Sequence, residues 1–218
     1  MEWTQKITEI INAQPKHPQI EDIVNIGNLY VPTGKIIACD PLYDYAWDVP
    51  LLRQIPVGNY PVRLYFVESE SWGYRVALAE LRIATGAIVS WEMATQPGEN
   101  VADLEPDHIY GYVVEAGMGC FADAESFVFY TRKIDKLRAD FGKDFNHYND
   151  YVEKEMEKKG EYDFLDLQIN PDQPHNVISF SSGAGDGLYA SYWGLDAQGN
   201  VACLVTDFGF LDEDDENK

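Results

Sequence analysis

The run Ser181-Ser182-Gly183-Ala184-Gly185-Asp186-Gly187-Leu188-Tyr189 is the stretch of this chain whose residue types and spacing come nearest to a site. Glycine reaches backbone angles closed to other residues, so alternating glycines mark either a sharp reversal between strands or a backbone brought close to a ligand. A phosphate loop would need a following helix and a lysine, and a repeat-type calcium loop would need stacked copies; neither is present. Two readings remain. One is a structural hairpin in which Asp186 bonds nearby backbone N–H groups. The other is a nest of N–H groups for a ligand anion, with the serines as added donors, which makes Ser182, Gly183, Gly185, Asp186 and Gly187 ligand-binding candidates.

A second candidate lies in Val113-Val114-Glu115-Ala116-Gly117-Met118-Gly119-Cys120-Phe121-Ala122-Asp123. A strand that runs through glycines into a helix would place Cys120 near a helix N-terminus, where the dipole favours a thiolate; the bland alternative is a small thiol packed in a turn. A third set consists of acids expected at strand ends. Asp40, Glu115, Asp123 and Asp186 are the metal-ligand candidates, with Asp207 a further strand-end acid. Converging at one rim, such oxygen ligands would suit Mg²⁺, Mn²⁺ or Ca²⁺ as a cofactor. Aspartate is equally at home at turns and caps for local hydrogen-bonding reasons. His17, His108, His147 and His175 show no zinc-binding spacing.

The elements that must position these residues read as α+β. Ile7, Ile10 and Ile11 fall at helical spacing before Pro15 and Pro18, which predicts a short N-terminal helix over 4–13. Lys35 to Cys39 reads as a strand stopped by Asp40-Pro41. Residues 58–67 and 74–83 read as a hairpin broken at Ser71-Trp72-Gly73, with further strands over 87–93 and 109–115. Behind Asp123 as N-cap, Phe127, Tyr130, Ile134, Leu137 and Phe141 predict one long helix; a shorter, polar one follows over 148–159, ended by Gly160. Residues 177–181, 189–195 and 201–207 read as a C-terminal antiparallel meander, with the glycine-rich turn as its first connection. Trp91 and Trp193 read as core, and Trp72 as a loop residue.

The totals exclude several classes. A formal net charge of -21 over 218 residues repels phosphate backbones and anionic lipid, which argues against nucleic-acid and membrane partners and favours a basic protein or a metal ion. The expected organisation is one globular domain over 1–211, followed by a disordered acidic tail over 212–218 that holds five acids and one lysine. Cys39, Cys120 and Cys203 form an odd set without a CxxC pair, which points to a reducing, cytoplasmic setting rather than to a disulfide framework or zinc. No signal-peptide pattern opens the chain.

Taken together, Thr33 to Pro41, Gly58 to Val62, Arg75 to Ala79, Trp91 to Ala94, Glu115 to Asp123 and Ser182 to Tyr189 make the chain resemble the DUF4241 family, a bacterial domain of unknown function. The resemblance covers most of the chain in order. It implies a single bacterial domain and brings no activity, cofactor or catalytic residue with it.

Two functions follow as expectations. The first is a non-catalytic binding protein, of inhibitor or immunity type, that caps a cationic partner; the charge and the lack of a complete catalytic motif support it. The alternative is a metal-assisted hydrolase in which the strand-end carboxylates hold the ion and the Gly183 to Gly187 backbone donates to developing negative charge. It requires Asp40, Asp123 and Asp186 to share a cleft.

Overall fold

The computed structural model describes residues 2–43 and 49–211. The expected acidic tail lies outside them. The chain is α+β and mostly antiparallel, as the sequence predicts. Its elements run α1 (Glu2–Asn12), β1 (Asp22–Val31), β2 (Ile36–Cys39), β3 (Gly58–Ser69), β4 (Gly73–Arg82), β5 (Ser90–Met93), β6 (Tyr112–Val114), β7 (Met118–Asp123), α2 (Ala124–Phe141), a π-helical turn (Tyr148–Val152) continuing into α3 (Glu153–Lys159), β8 (Phe164–Gln168), β9 (Asn176–Ser181), β10 (Gly187–Tyr189), β11 (Ser191–Leu195) and β12 (Val201–Asp207).

Among the described residues the strands form three sheets. A large sheet has the order β1-β3-β4-β12-β11-β5, a second has the order β2-β7-β9-β8, and β10 pairs with β6 in a two-stranded ribbon. Alternation along each strand builds the layers. In β2 and β7, Ile36, Ala38 and Phe121 join Leu64, Leu81, Trp193 and Leu204 of the large sheet in one buried core. Ile37, Cys39, Cys120 and Ala122 belong to a second core, with Phe127, Tyr130 and Ile134 of α2 and Val152 and Met156 around α3. Strands β2, β7 and β9 are therefore buried on both faces, which is why β2 and most of β7 read as short continuous apolar runs.

The outer face of the large sheet is covered by α1. Ile7, Ile10 and Ile11 are buried, the Trp91 indole N–H donates to Thr8 Oγ1 at 2.8 Å, and Asn12 exchanges side-chain bonds with the backbone of Ile88 at 2.8 and 2.9 Å. The same face carries a buried carboxylate. Glu80 is fully buried opposite Arg63, accepts from the Tyr65 hydroxyl at 2.8 Å and pairs with Arg82 at 3.1 Å. Partnered from three sides, that charge holds neighbouring strands together.

One connection differs from the sequence expectation. Residues 177–181 do not open a meander with β11 and β12, because β9 pairs with β7 and β8 in the second sheet. The glycine-rich turn is thus a crossover between sheets and not a hairpin. Periodicity says which residues face a core but not which strand lies alongside, so the assignment was open to this error. The helix expected over 148–159 begins as a π-helical turn.

Candidate functional site

The glycine-rich segment is built to pass close under other backbone. Gly183 has φ +66° and Gly185 φ +94°, whereas Gly187 has no such angle and opens β10. At Gly183 a Cβ would overlap the Val76 carbonyl oxygen and the Phe210 ring, so both the angle and the space demand glycine. Ser182 is buried. Its N–H donates to the Gly117 carbonyl at 3.0 Å and its hydroxyl to the Gly185 carbonyl at 2.8 Å, which also accepts from the Tyr189 hydroxyl at 3.0 Å. Ser182 and Tyr189 therefore brace the loop from within, and the Ser182 hydroxyl is turned to the loop's own carbonyl.

Below this loop, β2 ends at Asp40-Pro41. Asp40 is 3% exposed, and its carboxylate accepts from the backbone N–H groups of Leu42 (2.9 Å), Glu115 (3.0 Å) and Ala116 (2.9 Å). The Leu42 bond is the local turn that Asp-Pro favours; the other two tie β2 to the connection between β6 and β7. Burial pushes the Asp40 carboxyl above its ordinary value, the three N–H bonds oppose that shift, and the nearby Asp186 charge adds to it. Asp186 is exposed and immediately precedes Gly187, which pairs with Val114 next to Glu115. The Tyr43 hydroxyl bonds Glu115, which raises the phenol's pKa. Asp40, Glu115 and Asp186 are thus neighbours.

Asp123 is elsewhere. It pairs with Ile36 at the far end of the β2–β7 ladder from Cys39 and Asp40, caps α2 by accepting from the Glu125 N–H at 2.9 Å, and accepts from the Thr33 N–H at 3.0 Å. Three residues of β2 separate Ile36 from Asp40, roughly 13 Å of strand. Among the described residues no group of three or more His, Cys, Asp or Glu side chains is placed to hold a metal ion. Asp40, Asp123 and Asp186 do not meet in the arrangement that the hydrolase reading requires.

Cys120 is also repositioned. It is fully buried in β7, three residues before the cap of α2 and facing the second core, so its thiol is not presented at the helix N-terminus. Its neighbour across the ladder is Cys39. Sequence spacing could not reveal this pair, which is 81 residues apart. Nor could it reveal the Glu125, Ser126 and His175 cluster, where Ser126 Oγ lies 3.0 Å from His175 Nδ1 and Glu125 Oε1 lies 4.0 Å from Nε2. That array has the residue types of a hydrolytic triad, but Ser126 is fully buried inside the first turn of α2, where no substrate carbonyl can reach it. It fastens α2 to the start of β9.

The ladders bring several acids to one end of the molecule. Asp22 opens β1, Glu68 ends β3, Asp163 precedes β8 and Asp207 ends β12, all at the end where Asp40 follows β2 and Asp186 precedes β10. Exposed apolar side chains share this end. Trp72, in the β3–β4 turn, is 49% exposed and sits edge-on to Phe210, while Val113 and Leu188, paired across the ribbon, are 50% and 48% exposed. Their in-strand neighbours Tyr112, Val114 and Tyr189 point into the core. Along the sequence, 83–131 holds eight acids and 160–217 twelve, and neither segment contains a lysine or arginine. The segment 132–159, which spans most of α2 and all of α3, holds eight of the 16 basic residues.

Fold and site together define a layered α+β protein with a group of exposed acids and exposed apolar side chains at the glycine-rich end of its paired β-sheets. The chain belongs to the DUF4241 family, described as a protein of unknown function, whose model matches residues 29–206. The matched span contains Asp40, Glu115, Asp186 and the whole glycine-rich segment. No curated protein and no solved structure matches the chain. Among the described residues no helix is long and apolar enough to cross a membrane.

Proposed function

We propose that this chain is a binding protein that takes a basic protein partner on its glycine-rich end. The observation that carries the reading is the combination at that end of Asp22, Glu68, Asp163, Glu115 and Asp186 with the exposed Trp72, Val113 and Leu188. Acids around apolar contacts match a cationic surface that has its own apolar centre: the field speeds and selects the encounter, and the apolar side chains supply area to bury. The glycine-rich loop, braced by Ser182 and Tyr189 over Phe208 and Phe210, gives the face a fixed shape. A polyanion such as nucleic acid would meet repulsion there. Binding also demands less of the residues than catalysis, since Asp40 and Asp123 are occupied by backbone N–H groups and Ser126 is sealed.

The test is partner capture from the source cell at low salt, followed by calorimetry with the purified partner. Three immobilised forms are compared: the wild type, a face variant (Glu115→Lys, Asp186→Lys, Leu188→Lys), and a control with comparable charge change on the helical layer (Asp135→Lys, Glu153→Lys, Glu157→Lys). The expected result is a stoichiometric basic partner bound by wild type and control, lost by the face variant, and weakened at least tenfold between about 50 and 200 mM salt. Equal loss in both variants, or no stoichiometric partner, overturns the reading.

A further inference from the structure

We propose that Cys39 and Cys120 form a reversible intramolecular disulfide site. This inference does not depend on the binding function. The two residues are directly opposed in the β2–β7 ladder, their Sγ atoms lie 3.6 Å apart, and neither is in a disulfide. Residues directly opposite in an antiparallel pair have Cα atoms about 4.5 to 5.5 Å apart, inside the window of about 4.4 to 6.8 Å that a disulfide spans. Rotation about the two Cα–Cβ bonds with a small closure of the strands brings the sulfurs together, and neither strand must change register. Cys203 does not compete. It lies on β12 opposite Gly194, with Trp91 alongside, in the other sheet.

The chemistry is thiol–disulfide exchange with a small disulfide of the glutathione type. The thiolate of one cysteine attacks a sulfur of the oxidant, breaks its S–S bond and releases one reduced thiol. The thiolate of the second cysteine then attacks the protein sulfur of the mixed disulfide and releases the other. Two protein thiols are oxidised to one disulfide, one oxidant disulfide is reduced to two thiols, and both protons leave with them. Access comes through β2, an edge strand of only four residues whose local opening exposes both sulfurs. The bond would clamp that edge to β7 one residue before Asp40, across a loop of 81 residues.

The experiment refolds the reduced, full-length chain in glutathione buffers of graded redox poise, alkylates the free thiols after denaturation and maps the peptides. Refolding exposes every thiol to the oxidant, so burial cannot mask the outcome. The expected result is a folded product with Cys39 linked to Cys120 and Cys203 alkylated, formed equally by Cys203→Ser and absent from Cys120→Ser. The oxidised form is expected to unfold roughly 5 to 15 °C above the reduced one, since a loop of this length is closed in the unfolded chain. A folded product with all three cysteines alkylated even in fully oxidised glutathione overturns the proposal. So does a linkage through Cys203 or a mixed disulfide that does not resolve.

Discussion

Asp40 tests the construction of the glycine-rich end more directly than any other residue. Replacing it by alanine removes the acceptor for the Leu42, Glu115 and Ala116 N–H groups. Hydrogen bonds to a charged group contribute about 1.5 to 3 kcal/mol each, but Glu115 and Ala116 are exposed, so water replaces much of what their N–H groups lose. Removing a buried charge near Asp186 returns part of the cost. The expected destabilisation is about 2 to 4 kcal/mol, or roughly 5 to 15 °C in Tm for a chain of this size. Asp40→Asn keeps one acceptor oxygen and turns an NH2 group toward the remaining donors, so about half that loss is expected at neutral pH. The asparagine variant also isolates the titration. Because burial raises the Asp40 pKa, the folded state holds its proton at pH values where the unfolded chain has released it. Stability from this group is therefore greatest at low pH and falls as pH climbs from the ordinary value of 3.8 through the raised folded value, with a slope of at most about 1.4 kcal/mol per pH unit. Urea unfolding of wild type and Asp40→Asn from pH 4 to 6 should show the wild-type advantage shrinking as pH rises. An advantage that grows over that range would mean that the three N–H bonds outweigh burial, and would refute the balance argued for this carboxylate.

Three further substitutions probe the same framework. Gly183→Ala should cost more than Gly185→Ala by thermal unfolding, about 3 kcal/mol or more against about 1, because both positions hold φ above zero but only Gly183 faces the Val76 carbonyl and the Phe210 ring; equal costs would show that the loop does not pass under that strand. Asp123→Ala should lose about 2 kcal/mol in urea, combining a helix cap with the bonds from Thr33, and should leave the binding proposed for the opposite end unchanged.

Elements with an unbroken period were legible in the sequence. The long helix reads from the spacing of Phe127, Tyr130 and Ile134, all buried, and Asp123 is its cap as expected. The β3–β4 hairpin reads from its aromatic and branched residues on either side of Trp72-Gly73, and Trp193 is buried while Trp72 is exposed. β1 gave no clear signal because a bulge between Asn25 and Gly27 shifts its register, so no single alternation runs its length. β8 was hidden by brevity and an acidic centre: Asp166 is there to hold Asn176 Nδ2 at 2.8 Å, a contact made only once β8 and β9 pair. For the site, the residue types were readable and their meeting was not. Glu115 lies near Asp40 through a ladder of the second sheet and a crossover into the ribbon, relations that depend on strand order rather than on spacing.

That dependence bears on what the acidic end is for. Like charges gathered on one surface repel and lower the stability of the compact state, so folding alone gives no reason to concentrate them beside half-exposed Trp72, Val113 and Leu188. The structure offsets the repulsion inward, not outward: Asp40 is held by backbone N–H groups, and the glycine-rich loop by its own serine and tyrosine. The exposed acids Glu115 and Asp186 stay at the surface above a rigid support. On the binding function proposed above, a surface whose foundations are neutralised while its outer charges stay accessible suits an encounter with positive charge from outside, and the strength of that encounter should fall with salt in step with the acids presented.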